Sequence, residues 1–453
     1  MTHSDPSSSV GSQAETAATP FPPGARWDLA FIGILIYLTI EYTRLPQMLP
    51  ILQGLHVGKI AIAICVLGLL IAPRARPNGS LPFRINVALL LFLLVDFVSA
   101  WFAHYPEAAW PTLIDAIKWA VVYFLVGRIV TSSWRLRIFA FLLLLLNFKL
   151  AQFAVRTYLK YGTVTQSGES VAMVGAGTTD FFGNTNDFGV AMCVVLPLAA
   201  CLSYGEKKQL PRLFLLLSSG TILVAMLLSG CRGALVGACA VVLVGLVRTR
   251  QKLPLVVMGS LIVVSTVFLL PKGNRERLRS AFSWETDNTA ALRVGFWKAG
   301  WRMFLDHPLV GVGPGNFGPQ YRDRYYGSDP FPRLWAPHSI YIQALSESGL
   351  LGTIPMVTLW LLALRLNSQT RKHLRELGLE GNRVFEHRLA LGLELSLVAY
   401  MVCGAFLTVL YYPHLWYLLG MSVGLHRLCA HPQPESRVAV PQEMEMGLAS
   451  ART

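Results

Sequence analysis

Long apolar runs separated by short polar connections dominate the chain. From Trp27 onward, stretches of about 17–25 residues with few charges recur, which is the length that a helix needs to cross the hydrocarbon core of a bilayer. Such a run is expected to be helical, because every backbone polar group must find its partner inside the segment. The pattern predicts an all-α polytopic membrane protein with about twelve transmembrane helices, at roughly 27–43, 58–72, 85–103, 110–127, 137–154, 186–204, 213–229, 233–247, 254–270, 339–364, 389–411 and 414–429.

The composition agrees with a membrane protein and excludes several other classes. Of the 453 residues, 53% are apolar and 14% are charged, and the mean hydropathy is +0.49. A soluble domain usually carries about 25% charged residues, so an ordinary soluble enzyme, a disordered chain and a collagen-like fibre are excluded. The seven cysteines lie in or beside apolar stretches without metal-binding spacing, which indicates small buried side chains.

The net charge of +14 is explained by the distribution of Lys and Arg among the connections. Eighteen basic residues fall in the five connections that follow even-numbered spans, against five in the short and medium connections on the other side. Such an excess marks the cytoplasmic side, so both termini are expected there and nucleic acid is not expected as a partner. The predicted parts are a disordered tail at 1–26, helices 1–9 over 27–270, a large outer loop at 271–338, helices 10–12 over 339–430 and a tail at 431–453.

The outer loop 271–338 is expected to be functional, because loops of this size in a compact protein usually are. Arg293, Trp297, Gly300 and Phe304 share one helical face, which predicts an amphipathic helix suited to the membrane surface. The glycine-rich run that follows lacks the GxGxxG spacing of a nucleotide site and ends at Asn316.

Two short polar motifs lie at the outer ends of predicted spans. Asn184 and Asn186 stand where a polar segment enters the sixth span. Either Asn186 or Asp187 caps this helix, or the helix N-terminus and the amides hold sugar hydroxyls or phosphate oxygens. Arg232 stands between glycines at the edge of the bilayer. It is either an arginine that extends to the membrane surface or a planar guanidinium that binds phosphate.

The outer loop leads into the tenth span through His338, with Gln343 and Glu347 following at helical spacing. A lone histidine is more often structural, but this one falls in the same layer as Arg232 and Arg293. Lys149 is one of several ionisable residues in the outer halves of spans, together with Asp96 and Asp115. It either pairs with one of these carboxylates or adds to an anion site.

These motifs, in this order and on one side of the membrane, resemble the O-antigen ligase and polymerase superfamily. The resemblance covers roughly residues 85–425. This chain departs from the family's common pattern at Thr185, at Cys231 and at Ser339, where relatives often carry Pro, Ser and Asn. The motifs that carry the resemblance are Gly183-Asn184-x-Asn186, Ser229…Arg232-Gly233, Arg293 with Trp297, Pro308-Leu-Val-Gly311-Val-Gly313-x-Gly315-Asn316-Phe317 and His338…Glu347-Ser-Gly349-Leu-Leu-Gly352.

The resemblance implies a GT-C-like glycosyltransferase of the bacterial inner membrane. Its donor would be a polyprenyl-diphosphate-linked glycan and its acceptor a glycan or lipid, with other polysaccharide-assembly membrane proteins as further partners. His338, Arg232 and Arg293 are the expected catalytic residues, and no metal or cofactor is expected. The expected substrate-binding residues are Asn184, Asn186, Lys149, Trp297, Asn316, Gln343 and Glu347. A repeat-unit polymerase and, from another class, a small-anion transporter are the alternatives.

The predicted topology can be tested by cysteine labelling with a membrane-impermeant maleimide. Ser328→Cys lies in the outer loop, so we expect labelling from outside intact spheroplasts. Ser368→Cys lies on the basic side, so we expect labelling only after permeabilisation. The unsubstituted chain measures the background of its seven native cysteines, and the reverse pattern would contradict both the topology and the sidedness of the site.

Overall fold

The computed structural model describes residues 27–43, 54–71, 82–161, 182–249, 288–327, 331–379 and 383–430, with isolated residues between these ranges. This part of the chain is helical and contains no strand. The helices are α1 (Leu29–Thr43), α2 (Val57–Ile71), α3 (Phe83–Trp101), α4 (Pro106–Ile129), α5 (Ser133–Tyr161), α6 (Thr185–Gly205), α7 (Gln209–Leu228), α8 (Arg232–Arg248), α9 (Asn288–Asp306), α10 (Phe317–Gln320), a π-helical turn (Tyr321–Tyr325), α11 (Ile340–Glu376), α12 (Val384–Gly404) and α13 (Pro413–Ala430).

Every predicted span except 254–270 coincides with one of these helices. Apart from isolated residues, that span lies outside the described residues, as do the two terminal tails. Five helices, α3, α5, α6, α7 and α11, are long and apolar enough to cross a membrane, and α1 and α2 are shorter apolar helices. The membrane class is therefore confirmed, while the number of twelve spans and the GT-C architecture stay predictions.

Helix α6 forms the centre of the bundle and packs mainly against α7 and α12. Small residues permit this close packing, as is usual where helices associate in a bilayer. A Cβ atom on Gly392 of α12 would lie 3.1 Å from Leu198 Cα, and one on Gly237 of α8 would lie 3.2 Å from the Cys193 sulfur. All seven cysteines are free thiols, and five of them are buried as predicted, whereas Cys201 is half-buried and Cys239 is exposed.

Ion pairs join the helices at the end of the bundle that carries the basic connections. Arg137 pairs with Glu206 at 2.6 Å and Arg135 with Asp28 at 2.5 Å. The buried Glu394 of α12 pairs with Arg248 at 3.1 Å and Arg371 at 3.0 Å. Because each partner offsets the desolvation of the other, this end holds buried charges inside an apolar bundle.

The predicted loop helix is present as α9, and it forms a second small core outside the main bundle. Phe296, Ala299 and Met303 pack on residues that follow α9, among them Phe317 and Tyr321. Trp301 and Leu305 stay largely exposed on the other side. This division of apolar residues between a protein face and an open face is typical of a helix at a membrane surface.

Candidate functional site

The connection between α12 and α13, residues 405–412, organises the end of the bundle opposite to the basic connections. Three of its side chains bind residues in α3, in α6 and immediately before α11. The Thr408 hydroxyl accepts a hydrogen bond from the His338 backbone N–H at 2.9 Å. The Tyr411 hydroxyl donates to Asp96 at 3.2 Å, and that of Tyr412 donates to Asp187.

His338 occupies a strained position immediately before α11. Its φ of 49° lies in the left-handed region, which non-glycine residues adopt rarely. The ring lies 5.8 Å from that of Phe296 on α9. Ser339, which stands where relatives often have Asn, caps α11 by accepting a hydrogen bond from the Ile342 N–H at 3.5 Å. This departure from the family pattern therefore preserves the helix start.

The half-buried His338 imidazole is neutral at physiological pH. Burial and, to a smaller extent, the positive charge of Arg293 lower its pKa to about 4. Both effects act in the same direction, because each disfavours the protonated ring. A neutral imidazole is able to accept a proton, so the chemical state of His338 is that of a base.

Arg293 links His338 to the turn that carries Arg232. Burial raises the pKa of the Cys231 thiol, and the charge of Arg293 opposes this rise, so Arg293 acts on both Cys231 and His338. Cys231 directly precedes Arg232, which is half-buried at the first position of α8. The backbone of Arg232 thus directly follows a residue on which Arg293 acts, and Arg293 also acts on His338.

The turn before α8 is held by two close packing contacts. Gly233 packs on Leu407 and Phe406 of the α12–α13 connection. A Cβ atom on Gly189 of α6 would lie 2.7 Å from the Cys231 Cβ. Because Gly189 has no room for a side chain and Gly233 has little, the backbone at Arg232 packs closely against both α6 and the connection.

The motif at the start of α6 caps the helix, which is one of the two predicted alternatives, but the N-cap is Asn184 and not Asn186 or Asp187. Asn184 Oδ1 accepts hydrogen bonds from the N–H groups of Asn186 at 2.8 Å and Asp187 at 3.0 Å. Its Nδ2 donates to the Asp187 carboxylate at 2.9 Å. Asn186 is half-buried in the first turn, and Tyr412 joins this turn to the α12–α13 connection through Asp187.

Two further candidate residues lie apart from these contacts. Lys149 is exposed on α5, and no ion pair joins it to Asp96 or Asp115 among the described residues. Trp297 is half-buried on α9, and its indole N–H is buried without a hydrogen-bond partner in the described part of the chain. An aromatic ring with an unused donor is suited to a polar ligand.

Asn316, Gln343 and Glu347 are buried and contact protein groups. Asn316 donates to the Tyr105 carbonyl at 3.1 Å and accepts from its N–H at 3.0 Å, so it joins the loop to the α3–α4 connection. Gln343 Nε2 donates to Glu347 at 3.1 Å. Within the described ranges, no group of three or more His, Cys, Asp or Glu side chains is arranged to hold a metal ion.

The sequence did not indicate Thr408, Tyr411 and Tyr412. Two adjacent tyrosines between apolar spans are the signal that was present, since a tyrosine hydroxyl at a span end usually finds a polar partner. Their partners Asp96, Asp187 and His338 are far away in the sequence, so the pairing could not be inferred without the fold.

The described residues form an all-helical membrane protein. Its candidate site is built from the starts of α6, α8 and α11, the α12–α13 connection and the loop helix α9. Residues 214–357, about a third of the chain, match the family model described as O-antigen ligase. The match spans Arg232, Arg293 and His338, and it confirms the resemblance to the O-antigen ligase superfamily. No curated protein matched the chain in a separate comparison.

The low pKa of His338 can be measured without a substrate. Diethyl pyrocarbonate reacts with an imidazole in its neutral form and not in its protonated form. In detergent-purified protein the modification of His338, read by mass spectrometry, should therefore rise with pH around a midpoint of about 4. Arg293→Gln should raise this midpoint because a positive neighbour is removed. Lys298→Gln, an exposed change on the same helix, is the control and should leave it unchanged. A midpoint at the ordinary value of 6.5 would contradict the geometry.

Proposed function

We propose that this protein is a membrane glycosyltransferase that moves a glycan from polyprenyl diphosphate to an acceptor hydroxyl. The observation that carries the proposal is the neutral His338 imidazole beside Arg293, at the end of the bundle that also holds Arg232. The family match supports the class, since it covers these three residues. The proposed setting is the periplasmic face of the inner membrane, with both termini in the cytoplasm.

The proposed reaction needs a base and a stabilised leaving group. His338 takes the proton from the acceptor hydroxyl as its oxygen attacks the anomeric carbon. The bond between that carbon and the diphosphate oxygen breaks, and polyprenyl diphosphate leaves with the electron pair. Arg232 and Arg293 stabilise the negative charge on the leaving group, which is the form of catalysis that uses charges fixed in advance.

Asn184, Asn186, Lys149 and Trp297 are proposed to contact the glycan or its phosphates. The unpartnered indole N–H of Trp297 supports a role in binding, and Asn186 begins α6 beside the capped turn. We propose that neither a nucleotide sugar nor a metal ion takes part. Two arginines carry the charge that Mg²⁺ carries in many phosphate-binding sites.

Small-anion transport is a second candidate, because α11 is interrupted at Gly349 and broken helices are common at the substrate sites of transporters. Purified protein given a lipid-diphosphate glycan and an acceptor separates the two classes. Transfer that persists in EDTA supports the proposal. Anion uptake into proteoliposomes without any transfer would support transport instead.

Arg232→Lys should lose most of the transfer activity while the protein stays folded and inserted. Lysine keeps the charge but not the planar fork that binds two phosphate oxygens. Loss of one contact made mainly in the transition state costs about 2.7–4 kcal/mol, or roughly 10²–10³-fold in rate. Arg212→Lys, exposed at the opposite end, is the matched control. Near-normal turnover of Arg232→Lys would leave Arg232 as a topology anchor.

His338→Ala should slow transfer by roughly 10²–10⁴-fold, the usual contribution of a general base. Donor binding should change little, because the proposed phosphate ligands remain. Donor affinity and the rate of the bound complex are therefore measured separately. Weaker binding with an unchanged rate would make His338 a substrate ligand and leave the mechanism without a base.

A further inference from the structure

Helix α11 is interrupted near its start by Gly349. This residue has a φ of 59° and a ψ of −163°, a combination that is essentially restricted to glycine. A Cβ atom there would lie 2.5 Å from the carbonyl carbon and oxygen of Leu309. The interruption separates a short first segment, residues 340–348, from the long remainder, and it leaves backbone groups without helical partners.

The glycine-rich run after α9 supplies the missing partners. Residues 308–313 lie along the interruption, and four backbone hydrogen bonds join this loop to the two segments of α11. Two run from the loop to the short segment and two from the long segment to the loop. They are Val312 N–H to Ser346 O at 2.8 Å, Gly313 N–H to Glu347 O at 2.9 Å, Leu350 N–H to Pro308 O at 2.8 Å and Leu351 N–H to Leu309 O at 3.0 Å.

The Glu347 side chain extends this junction. Its carboxylate is 2% exposed and accepts hydrogen bonds from Phe317 N–H at 3.4 Å, from the Gly315 backbone and from Gln343. No salt bridge reaches it from any described residue. Its hydrogen bonds therefore go to the loop and to its own helix. The Glu347 oxygens are therefore occupied by donors of the protein, whereas the oxygens of a substrate ligand would be open to the substrate.

Ser99 of α3 fastens the same junction from the opposite side. Its hydroxyl lies 2.5 Å from the Val310 carbonyl and 3.1 Å from the Glu347 carbonyl. The loop is thus enclosed between α3 and the interruption of α11. The hydroxyl thus gives a partner to the Val310 carbonyl and a second one to the Glu347 carbonyl, which also accepts from the Gly313 N–H.

The junction controls where α9 lies relative to His338. Helix α9 ends directly before the loop, so its far end is attached to the end of segment 340–348. Its middle packs on the start of the same segment, where Gly300 meets Ile342 and Phe296 meets His338. Two separated points of attachment fix both the position and the direction of α9, and with them the position of Arg293.

We propose that Glu347, assisted by Gln343 and Ser99, is a positioning residue that holds α9 on segment 340–348 and thereby keeps Arg293 beside His338. The sequence-based expectation made Glu347 and Gln343 substrate ligands. The proposal rests on the proposed function only in taking Arg293 and His338 as the reacting pair, since the geometric claim concerns the protein without substrate.

The test compares Glu347→Leu with Glu347→Gln. Leucine removes every acceptor, whereas glutamine keeps a carbonyl oxygen for the loop N–H groups. If Glu347 positions α9, the diethyl pyrocarbonate midpoint of His338 should rise by about one pH unit in Glu347→Leu, because Arg293 moves away and water enters. Glu347→Gln should restore most of the original midpoint and, in the transfer assay, most of kcat.

Asn367→Leu is the matched control, because Asn367 is buried on the same helix and bonds Ser422 at 2.9 Å, outside the described contacts of the candidate site. In this variant, the midpoint of His338 modification by diethyl pyrocarbonate should stay unchanged. Ser99→Ala is the milder variant should Glu347→Leu fail to fold, and it should shift the midpoint in the same direction by a smaller amount.

An unchanged midpoint in Glu347→Leu, or in Ser99→Ala if the first does not fold, would overturn the proposal. So would a Glu347→Gln variant as impaired as Glu347→Leu, or weakened donor binding with the midpoint unmoved, since these are properties of a substrate ligand. If the proposed function alone is wrong, the midpoint still shifts and transfer is absent in every form, so the two failures are distinguishable.

Discussion

The backbone groups exposed at Gly349 are the constraint on which the candidate site depends. An unpaired amide or carbonyl in a bilayer costs several kcal/mol, so α11 could not be interrupted unless another segment supplied partners. The loop 308–313 does so through its own N–H and C=O groups, and its positive-φ glycines, Gly311 and Gly313, allow the close approach. The interruption and the loop therefore form together, and the position of α9 follows from both.

The α12–α13 connection solves a related problem for side chains. Asp96 is fully buried, and it accepts hydrogen bonds from Ser348 at 2.6 Å and Tyr411 at 3.2 Å. Hydroxyl donors satisfy it without a second buried charge, in contrast to Glu394, which forms ion pairs with two arginines at the other end. Ser348 adjoins Gly349, so the Asp96 carboxylate also joins α3 to the interruption of α11. Together, the hydrogen bonds of Thr408, Tyr411 and Tyr412 hold α3, α6 and the start of α11 at the α12–α13 connection.

How much the sequence could predict follows from the range of each signal. Apolar length and helical spacing are local, so the spans in the described residues and the helix α9 were predicted correctly. The side of a helix that faces the bundle is not local: Lys149 is exposed on α5, whereas Asn147, two residues earlier, is buried. In the sequence, Gly349 resembles an ordinary small residue in an apolar run. The interruption there could not be predicted, because the loop residues that permit it lie about forty residues earlier in the sequence. A capped start of α6 was foreseen as one of two alternatives, since a cap needs only its immediate neighbours, but the capping residue is Asn184 and not Asn186 or Asp187.

The low pKa of His338 gives the proposed mechanism a specific order. A base with a pKa of about 4 is a weak proton acceptor, and a catalytic base works best when its pKa is close to the working pH. The larger cause of the low value is burial, which a bound substrate does not relieve, but the other cause is Arg293. A diphosphate held by Arg293 would set negative charge beside the ring, offset the guanidinium and raise the pKa of His338. In the proposed mechanism the base thus gains strength only when the donor is in place, so an acceptor hydroxyl is activated where there is a glycan to receive it.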